Sequence, residues 1–150
     1  MGQTTAAITF RNAKVELSSD GSTWSDVSGS TSAVIVDGGE RPVTEFVPLF
    51  SETTKAKTGE RARVDIVVKS VYTEVPGEAY SILDTAYLIG GEIGLRWTPA
   101  GGSNVGSIRY YARGANVKKP AYPGGEVGEA KIIMAEYELS AEYIDKETIT

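Results

Sequence analysis

From Lys131 to Tyr143 two kinds of side chain alternate without a break. Ile133, Ala135, Tyr137, Leu139, Ala141 and Tyr143 hold one parity, and Ile132, Met134, Glu136, Glu138, Ser140 and Glu142 hold the other. Side chains along a strand point alternately to opposite sides, so this pattern predicts one long strand with an apolar face and an acidic face. At ~3.3 Å per residue it would run on the order of 40 Å, longer than a sandwich of this size needs.

The same period recurs in Arg61–Tyr72, where Val64, Ile66 and Val68 share one face and Asp65, Val67 and Lys69 the other. Val15 and Leu17 alternate with Lys14 and Glu16, and an Asp20-Gly21 turn follows, so 14–27 reads as a hairpin. Ala33–Val36, Ile93–Trp97 and Val105–Ala112 read as further strands. A helical period occurs once: Ala79, Ile82, Leu83, Ala86 and Tyr87 recur at its spacing, between Pro76 and Gly90-Gly91. About seven or eight strands and one helix predict a mainly β fold, an antiparallel sandwich or barrel with one flanking α-helix. A chain of 150 residues suits a single domain, with an N-terminal arm at 1–12, a long loop at 38–60 and a C-terminal tail at 144–150.

The chain has neither Cys nor His. That excludes disulfides, thiol chemistry, Ser-His or Cys-His nucleophile pairs and the usual zinc ligands. Glu136 and Glu138 share a strand face and could be imagined as a glycosidase pair, but no supporting cleft signature accompanies them, and they read as a solvated acidic face. Gly38-Gly39 and Gly101-Gly102 lack the context of a phosphate loop, and Asp20-Gly21-Ser22 lacks the acid spacing of a calcium loop. No catalytic, cofactor or metal site is predicted, and the chain reads as a non-enzyme. No apolar run approaches the ~20 residues of a membrane span, so no membrane partner is expected.

Charge is unevenly placed. The net charge is −5, and the excess lies in the last 25 residues, where Glu126, Glu129, Glu136, Glu138, Glu142, Asp145 and Glu147 oppose Lys131 and Lys146. Leu95–Lys119 instead carries Arg96, Arg109, Arg113, Lys118 and Lys119 with no acid. Such blocks suit complementary surfaces, within a subunit or between copies, or two solvated faces. The 38–60 loop is polar and broken by Pro42, Pro48 and Gly59, yet it holds Val43, Phe46, Val47, Leu49 and Phe50. A wholly solvated loop would not carry five large apolar side chains, so part of it should find a partner surface. Arg41, Arg61 and Arg63 flank it and could pair with carboxylates of another copy.

Two stretches carry a resemblance. The first runs from Asp20-Gly21-Ser22-Thr23-Trp24-Ser25-Asp26-Val27-Ser28-Gly29 to Val36-Asp37-Gly38-Gly39-Glu40-Arg41. The second runs from Gly77-Glu78-Ala79-Tyr80 through Gly90-Gly91 to Leu95-Arg96-Trp97-Thr98-Pro99-Ala100-Gly101-Gly102. With the Tyr122-Pro123-Gly124-Gly125-Glu126-Val127-Gly128 connection, the chain over 14–140 resembles the major tail (tail tube) proteins of long-tailed, non-contractile bacteriophages and related gene-transfer particles.

The resemblance implies a structural virion protein, assembled in the host cytoplasm into the virion tail. Its hexameric rings would join inner sheets into one barrel and stack into a tube that conducts DNA. Partners would be other copies, tail terminator and tail tip proteins, and, transiently in the lumen, tape-measure protein and DNA. The long loop then suits an arm reaching another ring, with Arg41, Val43, Phe46, Val47, Leu49, Phe50, Lys55, Lys57 and Arg61 as contact residues. Strand parity would set Glu136, Glu138 and Glu142 on the lumen as an acidic wall that repels phosphate. The alternative is a β-sandwich binding or adhesion module on a virion surface. It would need an exposed aromatic cluster, for which Tyr110, Tyr111 and Tyr122 are the candidates.

Overall fold

The computed structural model describes residues 8–49, 53–102, 105–128 and 131–150. Ten strands and one helix follow in order among them: β1 (Lys14–Ser18), β2 (Ser25–Asp26), β3 (Thr31–Gly38), β4 (Val43–Phe46), β5 (Lys55–Thr58), β6 (Val64–Val71), α1 (Ala79–Ile89), β7 (Ile93–Thr98), β8 (Ile108–Lys119), β9 (Met134–Ala141) and β10 (Tyr143–Thr148). All pairings are antiparallel. The main sheet runs β2-β1-β7-β8-β9-β6-β3, β10 lies on β8, and β4-β5 form a separate ribbon.

β8 belongs to two layers. Its first half lies between β7 and β10, with Trp97 opposite Tyr110 and Asp145 opposite Tyr111. Its second half pairs with β9, Asn116 opposite Ser140 and Lys119 opposite Glu138. The layers are thus β2-β1-β7-β8-β10 and β8-β9-β6-β3, a sandwich-like fold cornered on β8 and on the β9-to-β10 passage. Val15, Leu17, Leu95 and Trp97 of one layer and Ile66, Val68, Tyr137 and Leu139 of the other bury toward a common core. That inward set is the apolar parity of each strand.

Helix α1 closes the core with Ala79 and Leu83, both fully buried. Burying a leucine of this kind contributes about 1.5–3 kcal/mol. The hydroxyl of Ser30, distant in sequence, accepts the Ala79 N–H at 3.3 Å, which satisfies one orphan donor of the first turn. Gly90 ends the helix at φ +77° and returns its N–H to the Ala86 carbonyl.

The structure divides the predicted long strand. Residues 131–133 precede β9, Glu142 interrupts it, and the chain continues as β10 where a tail was expected. The Glu142 N–H donates to the Arg113 carbonyl while Tyr143 also stands opposite Arg113, so two residues oppose one, as in a β-bulge. The extra residue flips the parity. Ala141 is buried and Ile144 packs against the core, so Tyr143 leaves the face it was expected to share with Tyr137 and Leu139. The 38–60 loop likewise holds the β4-β5 ribbon, and Phe10–Asn12 of the expected arm form a 3-10 turn.

Candidate assembly surfaces

The first surface is the β4-β5 ribbon. Val43 pairs with Thr58, Thr44 with Lys57, Glu45 with Ala56 and Phe46 with Lys55, and all eight residues are exposed. Alternation places Phe46, Lys55 and Lys57 on one face and Val43, Glu45 and Ala56 on the other. Val47 is exposed too, and Leu49 reaches 90% exposure. Phe50 lies outside the described residues.

The ribbon's stem is well tied. Gly39 N–H donates to the Arg63 carbonyl, Ala62 N–H to the Glu40 carbonyl and Gly59 N–H to the Pro42 carbonyl. Arg41 Nη1 donates to the Gly59 carbonyl at 3.1 Å, and the Arg61 guanidinium sits 5.1 Å from the centre of the Tyr143 ring. Gly38 is needed here: its φ is +95°, and a Cβ would fall 2.7 Å from the Arg63 carbonyl oxygen. The stem therefore extends the β3-β6 ladder, while the ribbon itself has no core of its own.

The second surface is the outward face of the β8-β9-β6-β3 layer. Glu136 and Glu138 point away from the core there, as their parity predicts. Neither is an unopposed acid. Glu136 pairs with Lys69, its direct neighbour on β6, at 3.3 Å. Glu138 pairs with Lys119, its direct neighbour on β8, at 4.0 Å. Lys118, beside a register shift in β8, reaches over β9 and donates to Asp65 Oδ1 at 2.8 Å. Arg63 covers the end of the face, Nε donating to Ser140 Oγ at 2.8 Å.

Glu142 is not part of this face. It occupies the bulge, and its Cγ would lie 2.8 Å from a Cβ at Gly114, so its side chain lies across the corner. The expected acidic wall is thus corrected in two respects: two of its carboxylates are interleaved with lysines, and the third lies elsewhere.

The charge blocks also find their partners within the chain. Arg109 pairs with Glu147, Arg113 with Asp145 and Lys119 with Glu138, joining the basic block to the acidic one along β8, β9 and β10. Arg96 pairs instead with Glu16, and Lys118 with Asp65. Sequence shows the blocks but not the register that matches them. Tyr110 and Tyr111 face opposite sides of β8. Tyr110 stacks on Trp97 at 5.9 Å, while Tyr111 meets Trp24 edge-on at 5.1 Å beneath Arg113. The two tyrosines do not form one aromatic platform.

No protein-family model matches the chain, and no curated protein matches it. Solved structures do. One is a chain of the sheath-tube complex of an extracellular contractile injection system in its extended state, at TM-score 0.68 and 10% identity over 99% of this chain and 100% of that one. A second is the SPP1 tail tube, at TM-score 0.64 and 17% identity over 95% and 80%. The fold is the tail tube fold. A third similar structure is the tail of an empty GTA particle, refined helically with C6 symmetry, at TM-score 0.62 and 10% identity over 99% and 100%. The likeness spans nearly the whole chain, with 95–99% of it covered in these three structures.

Proposed function

We propose that the chain is the structural, non-enzymatic subunit of a virion tail tube. Copies close into hexameric rings, the rings stack, and the tube conducts DNA during ejection, with tape-measure protein in the lumen beforehand. Terminator and tip proteins would cap its two ends, and assembly would take place in the host cytoplasm. The observation that carries this reading is the β4-β5 ribbon. Two strands alone are at best marginal in water, and this pair exposes Val43 and Phe46, with Val47 and Leu49 exposed just beyond β4. Apolar side chains exposed on both faces of so small a ribbon mark it as a segment that gains by packing against another surface.

The contact residues are then Arg41, Val43, Phe46, Val47, Leu49, Phe50, Lys55, Lys57 and Arg61, reaching a copy in another ring. Glu136 and Glu138 face the lumen from the β8-β9-β6-β3 layer. β3 is an edge strand of eight residues, a shape that suits continuation of the layer into a neighbouring copy. The C6 symmetry of the GTA tail supports six copies per ring. The separation of Tyr110 from Tyr111 weighs against an adhesion module. Electron microscopy and light scattering of the purified protein at rising concentration should show rings or tubes. A strict monomer at high concentration in both low and moderate salt would overturn the proposal.

A further inference from the structure

The outward face of the β8-β9-β6-β3 layer carries four carboxylates, Asp37, Asp65, Glu136 and Glu138, and four cations, Arg63, Lys69, Lys118 and Lys119. Three of its lysines each sit on a carboxylate of another strand: Lys69 on Glu136, Lys118 on Asp65 and Lys119 on Glu138. The matching is one to one. Exposed pairs of this kind contribute little to stability, so the pattern calls for another explanation. Three lysines on the two strands that flank β9 would, without their acids, form a basic patch complementary to a phosphate backbone.

We propose that Asp65, Glu136 and Glu138 are masking residues, which hold Lys69, Lys118 and Lys119 away from a passing duplex so that the face does not grip DNA. The mechanism differs from repulsion by a bare acidic wall, because the face is balanced rather than negative. It works by local neutralisation: each ammonium lies beside a carboxylate, so a phosphate that approaches the lysine also meets the negative charge of the acid. The geometry of Lys118 makes the point most sharply. It spans β9 to reach Asp65 Oδ1 at 2.8 Å, so its ammonium is held over the face beside an acid two strands away. The inference rests on the proposal that this face lines the lumen, yet its chemistry can be read on the unassembled chain.

The test is binding of a fluorescent DNA duplex, followed by anisotropy at low salt and then across a salt series. Wild type should show no measurable binding. The Asp65→Asn, Glu136→Gln, Glu138→Gln variant keeps all three lysines and should bind, with log K falling against log salt at a slope of about −2 to −3. An equal charge change placed elsewhere, Glu40→Gln, Glu92→Gln, Glu126→Gln, should leave binding absent. Adding Lys69→Gln, Lys118→Gln and Lys119→Gln to the unmasked variant should abolish its binding. Should the triple variant fail to fold, Glu136→Gln alone should bind weakly, with a slope of about −1. DNA binding by wild type, or an unmasked variant no better than the charge control, would overturn the mask. A chain that never forms tubes can still pass this test, and a tube former can fail it, so the two proposals fall separately.

Discussion

Glu142 lies across Gly114 at the corner of the fold. Gly114 has φ +61°, and a Cβ there would approach Glu142 Cγ to 2.8 Å. The two residues sit where β8 passes from one layer to the other and where the β9-to-β10 passage bulges, so one glycine allows both long strands to turn together.

Gly114→Ala should therefore destabilise the chain by about 1–2 kcal/mol from the left-handed backbone alone. The Glu142 contact should add to that, although its flexible side chain can move aside. In a double-mutant cycle by urea denaturation, Glu142→Ala should recover the steric part and leave the backbone part. Full recovery would mean that the backbone at Gly114 carries no strain for a side chain.

This corner also marks the boundary of what the sequence makes legible. The hairpin at 14–27, the Arg61–Tyr72 strand and the helix are readable because their periods are local. The bulge is invisible in the Lys131–Tyr143 pattern: alternation runs straight through Glu142, and the break is set by Gly114 on the partner strand. β10 is hidden for a related reason. Asp145, Lys146 and Glu147 are three successive charges that look like a solvated tail, and only pairing with Tyr111, Tyr110 and Arg109 makes them a strand. For the candidate site, the outward parity of Glu136 and Glu138 was readable, whereas the lysine opposite each depends on register between distant strands.

Glu16 and Arg96 stand directly opposite each other on β1 and β7 and form two hydrogen bonds, 3.1 Å from Nε and 2.9 Å from Nη2. Trp24 lies 4.1 Å from the guanidinium and covers the pair. Glu16→Ala would leave a largely buried guanidinium without its carboxylate and should cost about 2–3 kcal/mol in chemical denaturation. Replacing both partners, with Arg96→Met added, should recover much of that loss, since an apolar pair leaves no charge unpaired. Equal destabilisation by the single and double variants would show that packing under Trp24, not the charge, holds these strands.

Acid sensitivity should trace in part to the Asp20 turn. The Thr23 N–H, the Ser22 N–H and the Ser18 hydroxyl donate to this carboxylate and hold its pKa well below the usual carboxylate range. Below the ordinary Asp value of about 3.9 the unfolded chain binds the proton more readily than the folded one. The contribution is thus complete above that pH and is lost progressively as pH falls toward the folded-state value. Asp20→Asn should flatten the dependence of the urea midpoint between pH 5 and pH 2, both figures being about one to two units either side of that value. An unchanged slope would assign the acid sensitivity to other carboxylates.

The last prediction separates assembly from folding. Phe46 and Leu49 are exposed in the single chain, so Phe46→Ser and Leu49→Ser remove no core contact and should shift stability by less than about 0.5 kcal/mol. If the β4-β5 ribbon joins one ring to the next, the same variants should still close into rings but should not stack into tubes. Hydrogen exchange gives the complementary reading. Backbone amides of the ribbon should exchange quickly in the wild-type monomer and become protected on polymerisation, while those of β6 and β9 stay protected throughout. Tubes formed normally by the double variant, or a ribbon equally protected in monomer and polymer, would remove the ribbon from the contact between rings.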